Sequence, residues 1–210
     1  NSVSSYPGSK FSKSSFERVV PRLLANHSVT NLILQSPTSD VTNLSQVPES
    51  QQKDFIKQSA QNMVGIMEKA WAEHPSLRKV IILDQLPRAD SDQLSSLANT
   101  YNATLRELVA ATPASSHCQI LVASHNSLTL ASKDMRSAVF GSPSARGTDG
   151  IHFRGKEGSK THTSSIISAL KSAGLNDWST QGRRGAGRQQ NGRTHSQTVG
   201  TSNQFAVLNC

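Results

Sequence analysis

Three short apolar runs recur along this chain, separated by long stretches with helical spacing, and that alternation limits the possible folds more than any other feature. Val29–Gln35 (VTNLILQ), Lys79–Asp84 (KVIILD) and Gln119–Ala123, with Cys118 ahead of it, are each bounded by polar or turn-forming residues. Continuous apolar runs of this length suit strands buried on both faces, whereas a strand with one wet face alternates. Between them lie amphipathic segments. Gln51–Glu73 sets Phe55, Ile56, Met63, Ile66, Met67, Ala70 and Trp71 largely on one side, and Ser91–Ala111 stripes Leu94, Leu97, Ala98, Tyr101, Leu105 and Leu108. Residues 14–25 and 158–173 read as two further helices, with Pro21 tolerable if the first effectively begins near it. Strands alternating with helices in this way predict an α/β domain built on a mostly parallel sheet covered on both faces.

Such sheets carry their chemistry at the carboxyl ends of the strands. Here those ends are Gln35–Asn43, Asp84–Asp90 and the segment from Ser124 onward, three polar or proline-bearing stretches that should converge on one edge. Length allows one sizeable domain, taken as residues 1–175 of the 210. Residues 176–210 read as a basic Gly/Arg/Gln-rich disordered tail, because residues 179–203 hold a single branched apolar residue, Val199. Phe205–Leu208 stands apart at its end, either as a docking motif or as a frayed apolar terminus. The net charge is +8, and residues 179–210 supply half of it through four arginines and no acid. Arg/Gly-rich stretches of this kind contact single-stranded nucleic acid through phosphates and guanidinium stacking, and they also serve as solubilising linkers. Cys118 reads as a small buried residue, and two cysteines make neither a disulfide framework nor a zinc site. No run is long and apolar enough to span a membrane, and no signal peptide opens the sequence, which leaves the compartment open with a cytoplasmic setting as the default.

One tetrapeptide carries a chemical signature. In Asp149-Gly150-Ile151-His152, the aspartate lies three residues before the histidine and can accept from its Nδ1–H, leaving Nε2 free to take a proton from a nucleophile. Placed ahead of the final helix, it resembles the last conserved block of the SGNH (GDSL-type) hydrolases. Tyr6-Pro7-Gly8 resembles that family's second block, and Leu32 through Asp40, ending a strand, its third. The resemblance covers roughly residues 5–173. It implies a flavodoxin-like three-layer α/β/α sandwich and ester hydrolysis, with His152 as general base, Asp149 orienting it, and the Gly8 N–H in the oxyanion hole. The family's amide-donating asparagine is Ser39 here, a shorter side chain with a single donor, and Asn43 is the candidate substitute. Loss of such a donor costs on the order of 10²–10³ in rate.

The family's nucleophile sits in a Gly-Asp-Ser block after its first strand, and none of these 210 residues is a serine in that setting. The domain therefore reads as incomplete at its N-terminus, with its first strand missing and no nucleophile in the chain. Two functions follow. The first is a serine esterase or acyl-ester hydrolase domain, inactive as this fragment, acting on a small-molecule or lipid-type ester with no cofactor and no metal. The second is a catalytically dead domain kept as a binding or assembly module, in a layout analogous to mobile-element proteins that carry a basic tail. Among the remaining polar residues, Asp40 reads equally as a site carboxylate or a turn cap. Arg88 reads as a surface arginine or as a strand-end group that neutralises an anion, His125 and Asn126 as a loop-facing polar pair, and His162 as solvent-facing.

Overall fold

The computed structural model describes residues 2–5, 20–21, 24–25, 29–36, 38–113, 117–125, 140, 150, 155–175 and 205–209. Its centre is a parallel sheet of five strands: β1 (Ser2–Ser5), β2 (Asn31–Gln35), β3 (Lys79–Leu83), β4 (Gln119–Ala123) and β5 (Phe205–Asn209), in the spatial order β1-β5-β2-β3-β4. The helices are α1 (Thr38–Leu44), α2 (Glu49–Glu73), α3 (Asp92–Ala111) and α4 (Gly155–Ser172). The chain is thus of mixed α/β character, as the alternation of apolar runs and amphipathic stretches requires.

The three apolar runs form the registered heart of the sheet. Asn31 pairs with Lys79 and Lys79 with Gln119, and the register continues to Gln35, Leu83 and Ala123. Successive side chains of a strand point to opposite faces, so each run feeds two cores. Leu32, Leu34, Val80 and Ile82 pack with Ile56, Met63 and Met67 of α2 and with Tyr101 and Leu105 of α3. Ile33, Ile81 and Leu83 pack instead with Ala169 and Leu170 of α4. Both faces of β2 are buried along its whole length, which is why its sequence does not alternate. Burying each of these leucines and isoleucines contributes about 1.5–3 kcal/mol of transfer free energy.

Helix α3 opens on Ser91, whose side chain accepts from the Leu94 N–H at 3.2 Å, satisfying one of the donors that the first turn leaves open. Two elements depart from the sequence reading. Helix α1 was read as part of a polar loop; the seven residues are helical because Val41 and Leu44 both find buried sites, against α3 and in the main core. Phe205–Asn209, expected to stand apart at the end of an unstructured tail, is a strand within the sheet. It pairs in parallel with β1 on one side and β2 on the other. An apolar run with unpaired backbone gains hydrogen bonds to two strands there, which outweighs its distance along the chain. Of the helix expected over residues 14–25, Val20 and Leu24 are helical and buried in the main core, and most of its other residues lie outside those described.

Backbone amides of Ala206, Val207 and Leu208 should exchange with deuterium as slowly as those of β2. Rapid exchange in β5 beside protected β2 amides would exclude this strand order.

Candidate functional site

All five strands run the same way, so the segments following them reach one edge. The row beyond the last registered pairs is Ser36, Asp84 and Ser124, a polar residue at the end of each of β2, β3 and β4. The ladder extends into this row through Ser36 N–H donating to Leu83 O at 3.1 Å and Asp84 N–H to Ala123 O at 3.1 Å. The Asp84 carboxyl is buried. Its Oδ2 accepts from Ser124 Oγ at 2.8 Å and from the Arg106 guanidinium of α3, while Oδ1 has no hydrogen-bond partner among the described residues. Burial raises this carboxyl above the ordinary aspartate value, against the opposing pull of Ser124 and Arg106. Ser36 Oγ is likewise buried without a partner among the described residues. The edge therefore offers an acceptor and a hydroxyl whose hydrogen-bonding capacity is unused.

Beyond Asp84 the chain crosses the end of the sheet as residues 85–90, and α3 holds its backbone in place. Asn102 accepts from the Gln85 N–H at 2.7 Å and donates to Gln85 O at 3.2 Å. Ser95 Oγ accepts from the Arg88 N–H at 2.8 Å and donates to Arg88 O at 2.7 Å. Arg88 was expected at the surface and is in fact 3% exposed. It forks onto both oxygens of Asp90, at 2.8 and 2.5 Å, and reaches Thr42 Oγ1 of α1 at 2.5 Å. A bidentate carboxylate and a hydroxyl together satisfy a guanidinium taken out of water.

Onto this segment docks Gly150, from the Asp149–His152 tetrapeptide. Its carbonyl accepts from the Ala89 N–H at 2.9 Å. Its φ is +74°, and a Cβ there would stand 2.6 Å from Asp90 N, so glycine is required twice over, by dihedral and by space. The tetrapeptide is thereby fastened to the carboxyl edge at its second residue. Asp149 and His152 themselves, like Gly8 and Asn126, lie outside the described residues. Ser39 and Asn43 both lie on α1, at the same edge; Asn43 is half-buried in its last turn, and the Ser39 side chain is not described. Asp40 is buried and accepts from Ser59 Oγ of α2 at 3.0 Å, which ties α1 to the long helix; it is more than a turn cap. Burial, and then the Asp40 charge, holds the Tyr101 phenol well above its ordinary value.

On the other face of the sheet, His125 corrects the expectation of a loop-facing polar residue. It is 0% exposed. Gln35 Nε2 donates to Asp84 O at 2.6 Å, which turns Gln35 Oε1 toward His125 Nε2 at 3.2 Å. Nε2 therefore carries the ring proton, and Nδ1 accepts from Ser165 Oγ of α4 at 2.9 Å. The connectivity is that of a nucleophile and its base, but Ser165 is 5% exposed, and no carbonyl reaches a hydroxyl sealed between helix and sheet. The pair pins α4 to β4. His162, expected to face solvent, is half-buried with its ring centroid 5.5 Å from that of His125. Burial lowers both rings to about 4, and the nearby His162 charge adds to the shift at His125. Cys118 is buried as expected, and that burial pushes its thiol up to about 11.

Asp84, Ser95, Asn102 and Ser165 were not singled out in the sequence. Asp84 ends the KVIILD run, and Ser95 and Asn102 interrupt the apolar stripe of α3 one and two turns apart from Ala98 and Leu94. A polar residue at a position whose neighbours are all buried is the available signal. Searches against models of protein families, curated proteins and solved structures found nothing that matches this chain.

Gly150→Ala should destabilise the domain by about 2 kcal/mol or more in urea titration, because the added methyl meets backbone atoms that α3 holds in place. A neutral effect would show that the tetrapeptide is not docked on residues 89–90. The histidine pair predicts acid sensitivity. Folded-state values near 4, below the ordinary 6.5, mean that the unfolded chain binds protons first, so stability is whole above pH 6.5 and declines as pH falls toward 4. For the sealed His125 the loss reaches at most about 3 kcal/mol. The raised Asp84 value acts in the opposite direction and is common to variants, so the comparison is with His162→Gln, whose stability should depend less steeply on pH across that window. Equal slopes would rule out the pair as the cause.

Proposed function

We propose that this chain is an SGNH-like α/β/α domain of the flavodoxin-like, three-layer type, and that its chemistry is ester hydrolysis at the carboxyl edge of the sheet. The observation that supports this reading is Gly150, the second residue of the Asp-Gly-Ile-His tetrapeptide, which lies against Ala89 and Asp90 beyond the end of β3, the side of the sheet on which such folds place their chemistry. In that reading Asp149 holds the His152 ring through Nδ1–H. Nε2 then takes the proton of an attacking hydroxyl and returns it to the leaving alcohol. The second and third family-like stretches, Tyr6–Gly8 and Leu32–Asp40, follow β1 and run through β2 in the sequence, and the proposal sets both at the same edge. Gly8 N–H with Ser39 or Asn43 would receive the oxyanion.

The nucleophile is the remaining part. In the resembled family it follows the first strand, upstream of the glycine block. In this sheet the strand beside β1 is β5, which runs toward the same edge. The proposal accordingly predicts two results. Asp149→Asn should lower the titration midpoint of His152 followed by imidazole NMR, since it removes the neighbouring carboxylate charge. Replacing Asn209 and Cys210 by Gly-Asp-Ser should produce a burst of 4-nitrophenolate from 4-nitrophenyl acetate, and His152→Ala should reduce that burst by about a thousandfold or more. A His152 midpoint indifferent to Asp149, or a burst indifferent to His152, would defeat the triad.

A further inference from the structure

Strand β4 stands at one end of the sheet, and nothing in its sequence protects that end. An outermost strand presents a row of backbone donors and acceptors that another strand can pair with, and folded proteins guard such rows with charge, proline or a very short strand. At the other end of the order stands β1, the short polar run Ser-Val-Ser-Ser. In contrast, β4 is Gln-Ile-Leu-Val-Ala, with no charge, proline or glycine. Its burial also differs from that of its neighbours. Every residue of β2 is buried, whereas Ile120, Leu121 and Val122 are only half-buried. Ile120 also lines an open hollow of about 200 Å³ with Trp71, Val109 and Pro113.

The hydrogen bonds to β3 settle which groups of β4 face outward. Gln119 N–H donates to Arg78 O at 2.9 Å, and Ala123 O accepts from Asp84 N–H at 3.1 Å. Along a strand, successive residues turn their backbone groups to alternate sides. Gln119, Leu121 and Ala123 therefore serve β3, and the N–H and C=O of Ile120 and Val122 point away from it. Among the described residues no strand or turn pairs with that outer side. Two outward residues flanking one inward residue make a self-complementary pattern. A two-fold axis at Leu121, normal to the sheet, sets Ile120 of one copy opposite Val122 of the other and gives every one of those backbone groups a partner. Gln119 then faces Ala123, so no charge meets a like charge, and the β-branched side chains of Ile120 and Val122 pair on one face. A foreign strand would have to supply this spacing; a second copy carries it already.

We propose that β4 pairs with β4 of a second copy of this chain, antiparallel about a two-fold axis at Leu121, and so joins two five-stranded sheets into one. Val122 of the second copy falls next to Ile120, on the face where the hollow opens, and the half-buried apolar side chains of both strands leave water together. Because the pairing is antiparallel, the Asp84 edge of one copy lies beside the amino edge of the other. The association is independent of the esterase reading and survives its failure.

Sedimentation of the full chain across a concentration series should show a reversible monomer–dimer equilibrium. Hydrogen exchange reads the same event residue by residue. The Ile120 and Val122 amides should slow as concentration rises through the transition, while those of Gln119 and Leu121, which face β3, stay unchanged. Cysteine pairing locates the axis. In a Cys118→Ala, Cys210→Ser background, Leu121→Cys should oxidise to a disulfide-linked dimer, since residues facing across the axis stand about 4.5 Å apart at Cα, within disulfide reach. Gln119→Cys, at a more exposed position, should not, because the two copies of residue 119 lie about 13 Å apart along the strands. A chain still monomeric at about 1 mM, the weak end of specific association, would overturn the proposal. So would linkage through residue 119 as ready as through residue 121. Ile120 and Val122 amides equally slow at every dilution would overturn it too, by showing that another part of the same chain covers β4.

Discussion

Everything in this domain hangs on how the three neighbouring strands β2, β3 and β4 end. A parallel sheet buried on both faces must bring its backbone and side-chain polar groups out of an apolar interior at the strand ends. Here Ser36, Asp84 and Ser124 form that boundary, with Gln35 and His125 tying it to the layer behind. The ladder bonds from Ser36 N–H to Leu83 O and from Asp84 N–H to Ala123 O carry the register one row beyond the strands. Because those backbones are fixed, the segment after β3 has a defined start. Asn102 and Ser95 of α3 then hold its path, and Gly150 has a fixed surface to dock on. The placement of Gly150 is thus a consequence of strand register, transmitted through side chain–backbone hydrogen bonds.

The two faces of the sheet handle polarity differently. Toward α2 and α3, charged groups are retained: Asp84 with Arg106, and Asp40 with Ser59, while Arg88 with Asp90 and Thr42 closes the edge above them. Toward α4, a neutral chain of Gln35, His125 and Ser165 does the same work without charge. A neutral imidazole can be both donor and acceptor, which lets one ring bridge a strand and a helix, and burial keeps it neutral. The consequence is that α4 is held by groups that acid converts to cations, whereas the opposite face relies on carboxylates, of which burial biases Asp84 toward its neutral form.

Much of the fold was legible in the sequence, because burial writes itself into composition. The runs NLILQ, KVIIL and QILVA are strands within a residue or two of their expected bounds, and the stripe Leu94, Ala98, Tyr101, Leu105 faces the core as its spacing predicts. Those elements were readable from their spacing. The short helix α1 was not, since its seven residues have little propensity of their own and are helical only because Val41 and Leu44 meet partners from elsewhere in the chain. Arg88, His125 and His162 were misjudged for a related reason: a polar residue after a strand looks the same in sequence whether it meets water or Asp90, Gln35 and Ser165.

By itself, then, the amino-acid sequence determined that this chain alternates buried strands with amphipathic helices, and that an Asp-Gly-Ile-His tetrapeptide precedes the last helix. Local periodicity and residue chemistry are enough for that. Only the tertiary structure decided that Phe205–Asn209 enters the sheet between β1 and β2, and that Gly150 must pack against the backbone of Ala89 and Asp90. Those outcomes depend on contacts between residues far apart in sequence, and a hydrogen bond or a close approach at such separation leaves no periodic trace in the chain that makes it.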